Sequence, residues 1–117
     1  MKRVYASTIG IDQGTEMLFS DFDTGGDMWT GKGARERRVA VTFSENFKSK
    51  PSVMVTLEMF DMDSGTNQRA ETVVANITEV GFDIVFCTWG DTKIARARAS
   101  WMAIGGVDAG DNWEEMY

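Results

Sequence analysis

Hydrophobic and polar residues alternate with a period of two along most of the chain, and helical periodicity is nearly absent. Val39, Val41 and Phe43 alternate with Ala40 and Thr42. Val53, Val55, Leu57 and Met59 face one way, and Met54, Thr56, Glu58 and Phe60 the other. Phe82, Ile84 and Phe86 oppose Asp83, Val85 and Cys87. These runs are rich in β-branched and aromatic residues, which suit a pleated, half-buried surface. The pattern predicts strands near 2–10, 35–44, 52–60, 68–78, 82–89 and 93–104, with a shorter extended piece near 17–22. Turn formers punctuate them: Asp61 to Asn67 joins two strands, while Val80-Gly81 and Gly90-Asp91-Thr92 each close a hairpin. Strands joined by short turns imply antiparallel meanders. The expected fold is all-β, a six-stranded antiparallel β-sandwich.

The segment from Asp21 to Gly33 breaks the alternation. Gly25, Gly26, Gly31 and Gly33 surround Asp23, Asp27, Met28, Trp29 and Lys32. Two readings stand side by side: a binding loop presenting an aromatic, or a compact surface loop pinned by a buried Trp29. No helical pattern follows these glycines, so a phosphate cradle lacks the helix N-terminus it would use.

A chain of 117 residues is one domain, with 43% hydrophobic and 26% charged residues as in ordinary globular proteins. The net charge of −6 argues against binding nucleic acid through its phosphates. Arg35, Arg37 and Arg38 form a local exception, best taken as solvated or paired strand residues. A single Cys87 forms no internal disulfide. The N-terminal residues lack the apolar core of a signal peptide, and no run is long enough to cross a membrane. The expectation is a soluble protein made in the cytoplasm, without membrane insertion, that reaches any extracellular or particle-borne site by another route. Asn76-Ile77-Thr78 matches a glycosylation sequon but is taken as accidental without a signal peptide.

Catalytic chemistry has little to build on. The absence of histidine removes the commonest general base and zinc ligand. Asp61-Met62-Asp63-Ser64-Gly65 fails calcium-loop spacing, since glycine is fifth and the twelfth residue is Thr72. No metal, no cofactor and no enzymatic activity are expected.

Strand registry yields a more useful group. A hairpin folded about Glu79-Val80 sets Arg69 opposite Trp89 or Gly90, beside the turn Gly90-Asp91-Thr92-Lys93. One end of the sandwich would then carry Arg69, Trp89, Asp91, Asn67 and Gln68. Amide and charged groups bond to sugar hydroxyls, while an aromatic face covers the C–H side of the ring. The same residues also fit a purely structural stack of Arg69 on Trp89.

A series of short motifs carries a resemblance. Leu18-Phe19-Ser20-Asp21-Phe22, Met28-Trp29-Thr30-Gly31, Arg35-Glu36, Val41-Thr42-Phe43, Pro51-Ser52-Val53 and Asp61-Met62-Asp63 come first. Asn67-Gln68-Arg69-Ala70, Gly81-Phe82, Thr88 to Lys93 and Ser100-Trp101-Met102-Ala103-Ile104-Gly105 follow in order. Together they resemble the H-type lectin domain of snail agglutinins and discoidins, over about residues 1–105. The acidic tail, 106–117, has no counterpart.

The resemblance implies a trimer, sometimes stacked into a hexamer, that binds galactose or N-acetylgalactosamine without metal at clefts between protomers. It places Arg69 and Trp89 at the site. It also shows departures: Gly90 stands where histidine is frequent, Ala95 replaces a tyrosine, and Lys32 falls where animal lectins have aspartate. Asp27 and Asp91 are the nearest carboxylates to take that role. The resulting reading is a glycan-binding homotrimer using Arg69, Trp89, Gly90, Asp91, Asp27, Gly31 and Lys32. The alternative is a structural oligomerisation module of a larger particle or fibre that binds no sugar.

Overall fold

The computed structural model describes residues 1–109, so residues 110–117 of the tail read as 106–117 lie outside the described residues. Six strands form two three-stranded antiparallel sheets. In chain order they are β1 (Thr8–Phe19), β2 (Arg35–Thr42), β3 (Ser52–Met62), β4 (Glu71–Ala75), β5 (Gly81–Thr88) and β6 (Ile94–Val107). One sheet runs β1-β6-β3 and the other β2-β5-β4. The all-β sandwich is therefore as expected, but the meander is not. Only β4 and β5 are sequential neighbours in a sheet; the other connections cross between sheets. Gly90-Asp91-Thr92 closes no hairpin and instead carries the chain from one sheet to the other.

The inward faces make one core. Phe43 packs edge-on against Phe47 with centroids 4.9 Å apart, and Phe82 against Trp101 at 5.4 Å. On the opposing sheet Ala97, Ala99 and Ala103 are fully buried. Small residues on the central strand β6 make room for the large aromatics, the large-against-small fit of a dense interior. Gly14, directly across from Trp101, leaves space for the indole: a Cβ there would lie 3.0 Å from the ring. Each buried aromatic of this kind contributes roughly 1.5–3 kcal/mol.

Several boundaries shift for identifiable reasons. Residues 2–7 are not strand: β1 begins at Thr8, whose partner Val107 is the last residue of β6. The strand expected over 68–78 shortens to Glu71–Ala75, since threonine hydroxyls take up the backbone of Arg69. The extended piece near 17–22 is divided: β1 runs to Phe19, and a one-turn helix, α1, spans Asp21–Thr24. A second turn, α2, spans Asp27–Thr30 after the glycines where no helical pattern was expected. Two four-residue turns are too short to carry an amphipathic period.

Bulges adjust the registry. Leu18 is an extra residue between the pairs Met17↔Arg98 and Phe19↔Ala97, which lets Leu18 and Phe19 both enter the core. A bulge at Glu58 leaves Met59 opposite Arg98, so the strict alternation read for β3 ends there. No helix among the described residues is long and apolar enough to cross a membrane.

Candidate functional site

Three segments meet at one end of the sandwich: the loop around α2, the stretch before β4, and the link from β5 to β6. Arg35, at the start of β2, fastens them. It is buried, and its guanidinium donates to the carbonyls of Asp27, Met28, Gly33 and Gly90 at 3.0–3.3 Å. The Gly33 N–H donates to the Gly90 carbonyl at 2.8 Å, tying loop to link directly. Gly90 has φ +70°, a conformation that favours glycine, and a Cβ there would meet the Arg69 guanidinium at 3.4 Å.

A second clamp works beneath the loop. The buried Asp21 carboxylate accepts the Met28 N–H at 2.9 Å and the Arg37 guanidinium at 2.9 Å. Arg37 also reaches the Asp27 carboxylate at 3.2 Å. Met28 is fully buried, which anchors α2 and leaves the neighbouring Trp29 half-buried at the surface. Trp29 meets Phe22 edge-on with centroids 5.1 Å apart, and Lys93 Nζ lies 4.5 Å from the Trp29 ring centroid. The pin of this loop is Met28, so Trp29 remains available to the outside.

On the other side of the site, Thr92 is fully buried and its hydroxyl joins two segments. It donates to the Asn67 carbonyl at 2.6 Å and accepts the Arg69 N–H at 3.1 Å. Thr88 donates its hydroxyl to the Arg69 carbonyl at 2.5 Å. With its backbone held on both sides, Arg69 sends its guanidinium to Asp91 at 3.2 Å. Asn67 donates its side-chain amide to the same carboxylate at 3.1 Å. The hydrogen bonds from Asn67, helped by the Arg69 charge and outweighing slight desolvation, hold the Asp91 carboxyl below its ordinary 3.8.

The β4–β5 ladder begins at Glu71↔Cys87, two residues short of Arg69 and Trp89. The Arg69 backbone is held by the Thr88 and Thr92 hydroxyls instead of by a strand partner. The alternative, a structural stack of Arg69 on Trp89, does not form: Arg69 turns to Asp91, and Trp89 is exposed at 43%.

Of the residues singled out in the sequence, Gly31, Lys32 and Asp91 come together on a cavity of about 500 Å³. Its wall is completed by Trp29, Thr30, Thr66 and Lys93. Arg69 adjoins this cavity through Asp91, and Gly90 supplies the carbonyl to which the loop is tied. Trp89 and Asp27 are not in its wall; the Asp27 carboxylate is occupied by Arg37. Thr66 has a buried hydroxyl with no hydrogen-bond partner among the described residues.

A second cavity of about 310 Å³ shares the Trp29 wall and is lined also by Phe22, Asp61, Ala95 and Arg96. Ala95 stands where the resemblance places a tyrosine, and its small side chain leaves this space open. Sequence reasoning missed the roles of Arg35, Thr66, Thr92 and Lys93. Arg35 carried no signal of its own, since it opens the charged run Arg35-Glu36-Arg37-Arg38.

The described geometry agrees with comparisons to known proteins. The H-type lectin domain profile matches residues 38–104. The chain is 55% identical over 114 residues to a protein of Fuscovulum blasticum named ATP synthase subunits region ORF 7, covering 97% of this chain and 98% of that one. That name gives a genomic location and no activity. A discoidin-1 polypeptide of Dictyostelium discoideum is 40% identical over 75 residues, 63% of this chain and 30% of the discoidin. The chain thus spans under a third of discoidin-1. The native structure of discoidin II from the same organism superposes with a TM-score of 0.74 at 24% identity, covering 88% of this chain and 39% of that one. This likeness supports the shared fold. The chain belongs to the H-type lectin domain family.

Proposed function

We propose that this protein is a non-enzymatic glycan-binding module, acting as a homotrimer, with its sugar site at the end cavity walled by Trp29, Gly31, Lys32, Asp91 and Lys93. The observation that carries the reading is the Asn67–Arg69–Asp91 cluster. Its backbone is fixed by two threonine hydroxyls, yet its polar groups stay accessible beside a cavity. Fixed donors and acceptors next to a half-exposed indole match a pyranose, which offers hydroxyls on its edge and C–H groups on its face. A galactose-type ring is the ligand implied by family membership.

The two outer sheet faces differ, which supports the oligomer. On β2-β5-β4 the outward residues include Glu36, Arg38, Glu71 and Asp83. On β1-β6-β3 they include Ile11, Ile104, Met54 and Met102, clustered in neighbouring rows. Met54 is 66% and Ile11 64% exposed. An antiparallel sheet with one face in the core ordinarily turns polar residues outward, so this face calls for cover. A neighbouring copy packed here would also abut the second cavity, since Arg96 and Asp61 lie on the same face. The cleft between copies would then border Trp29.

The same apolar face favours a second reading, the structural oligomerisation module without sugar. A glycan array run on the full chain, alongside light scattering, separates the two. Binding by a particle of three times the 13.0 kDa protomer supports the lectin reading. The same particle with no bound glycan supports the scaffold.

A further inference from the structure

We infer that the end cavity selects an acidic saccharide, a ring carrying a carboxylate or a sulfate, over its neutral counterpart. The inference rests on the glycan-binding reading and adds the chemical class of ligand to it.

Charge placement carries the argument. The protein is acidic overall, with a net charge of −6. The cavity reverses that sign: Lys32 and Lys93 stand in its wall, and the wall's own carboxylate is Asp91. Asp91 is already engaged by Arg69 at 3.2 Å and by the Asn67 amide at 3.1 Å. Among the described residues neither Lys32 nor Lys93 has a carboxylate within 4.0 Å, whereas Arg37, Arg38, Arg69, Arg96 and Arg98 all do. Two lysines without counterions face one space. A neutral sugar would leave both in that condition, and an anionic one would neutralise them.

The Lys93 ammonium is held in place, and Lys32 rises from a fixed backbone. Lys93 Nζ lies over the Trp29 ring at 4.5 Å, which holds the cation against one face of the indole at the cavity wall. Its carbonyl is tied to the Asp63 N–H at 2.9 Å. Lys32 sits between Gly31 and Gly33, and the latter is bonded to Gly90. A Cβ at position 31 would collide with the Asp27 carbonyl at 2.6 Å, so the loop presents Lys32 on a closely fitted backbone. An acidic group reaching the two lysines would form charge-assisted hydrogen bonds, which are stronger than those of a hydroxyl in the same place.

The test uses matched pairs that differ in one substituent. Multivalent conjugates of galactose, galacturonic acid and galactose 6-sulfate, and of glucose, glucuronic acid and glucose 6-sulfate, are titrated against the full chain at low and high salt. The expected result is that an acidic member binds about tenfold or more tightly than its neutral partner. The preference should shrink as salt screens the charges. Comparing carboxylate with sulfate identifies which anion is taken.

Lys32→Gln with Lys93→Gln should remove the preference. Lys48→Gln with Lys50→Gln, in the separate basic group beside Lys2 and Arg3, should leave it intact. A neutral sugar bound as tightly as its acidic partners overturns the inference and leaves the glycan-binding reading standing. So does a preference that survives the Lys32/Lys93 double variant. No binding to any conjugate removes both.

Discussion

Arg69 and Asp91 face each other at 3.2 Å across two chain segments, Arg69 held by its backbone bond to Thr92 and Asp91 following Gly90, whose carbonyl is tied to Gly33. Both side chains are 40% or more exposed, so their attraction is screened and adds little to folding. Arg69→Ala should therefore leave the melting temperature almost unchanged. Loss of a charged hydrogen-bonding group from a binding site weakens affinity about ten- to hundred-fold. Calorimetry and glycan titration on the same variant check this. A variant that melts much earlier yet binds normally would assign Arg69 a structural role only.

Arg35 is expected to behave in the opposite way. Its buried guanidinium is the shared donor to four carbonyls on two segments. Arg35→Ala strands those acceptors and should cost about 2–4 kcal/mol, most of it visible as an earlier melt. Binding should fall with it, because the 27–33 loop and the Gly90 link lose their common fastening. An Arg35→Ala protein of native stability would show that the clamp is incidental.

The contrast between these two arginines marks how far the sequence could be read. Period-two alternation identified the sandwich and its inward residues, because one buried face imposes that period on every strand. The β4–β5 hairpin was legible because a short turn joins two alternating runs, although its ladder stops at Glu71↔Cys87, short of Arg69. Sheet order was not legible, since crossing between sheets leaves no trace in alternation. The two helical turns escaped because four residues show no period. Asp91 was singled out by strand registry and Lys32 by the glycine-rich segment and the family pattern, while Lys93 and Thr66 reach the cavity only through the three-dimensional path of two links. Arg96 and Arg98 stand two apart on β6. They find Asp61 and Glu58 in the same chain, each at 3.2–3.3 Å.

Asp12 provides a test by pH. Burial raises its pKa, but the hydroxyl and N–H of Ser44 more than compensate and hold it below the ordinary 3.8. A carboxyl whose folded pKa is depressed contributes stability above its unfolded pKa. That contribution is lost as pH falls through the folded value. The link from β1 to the segment after β2 should thus persist at pH 5 and weaken only below about 3.8. Asp12→Asn should flatten this part of the acid-unfolding curve. A wild-type curve already falling steeply above pH 5 at this link, as followed by hydrogen exchange at Ser44, would contradict it.

The apolar outer face yields a prediction of mass. Met54→Glu sets a charge among Met102 and Ile104, where a packed neighbour would have to bury it. Wild type should run at three times the 13.0 kDa protomer and the variant at one. Met54 is exposed in the isolated protomer, so the variant should still fold. A wild-type mass of one protomer at every concentration removes the trimer. A mass of six protomers indicates stacked trimers.

Where a glycan sits can be read from the tryptophan indole N–H resonances during titration with the tightest-binding conjugate's free saccharide. Trp29 borders both cavities, whereas Trp101 lies in the core among Phe43 and Phe82. Saturable shifts of the Trp29 indole and of the Gly31, Asp91 and Lys93 amides, with Trp101 unmoved, are the predicted result. Saturable binding that leaves Trp29 and those amides unshifted would contradict the assignment of this cavity as the glycan site.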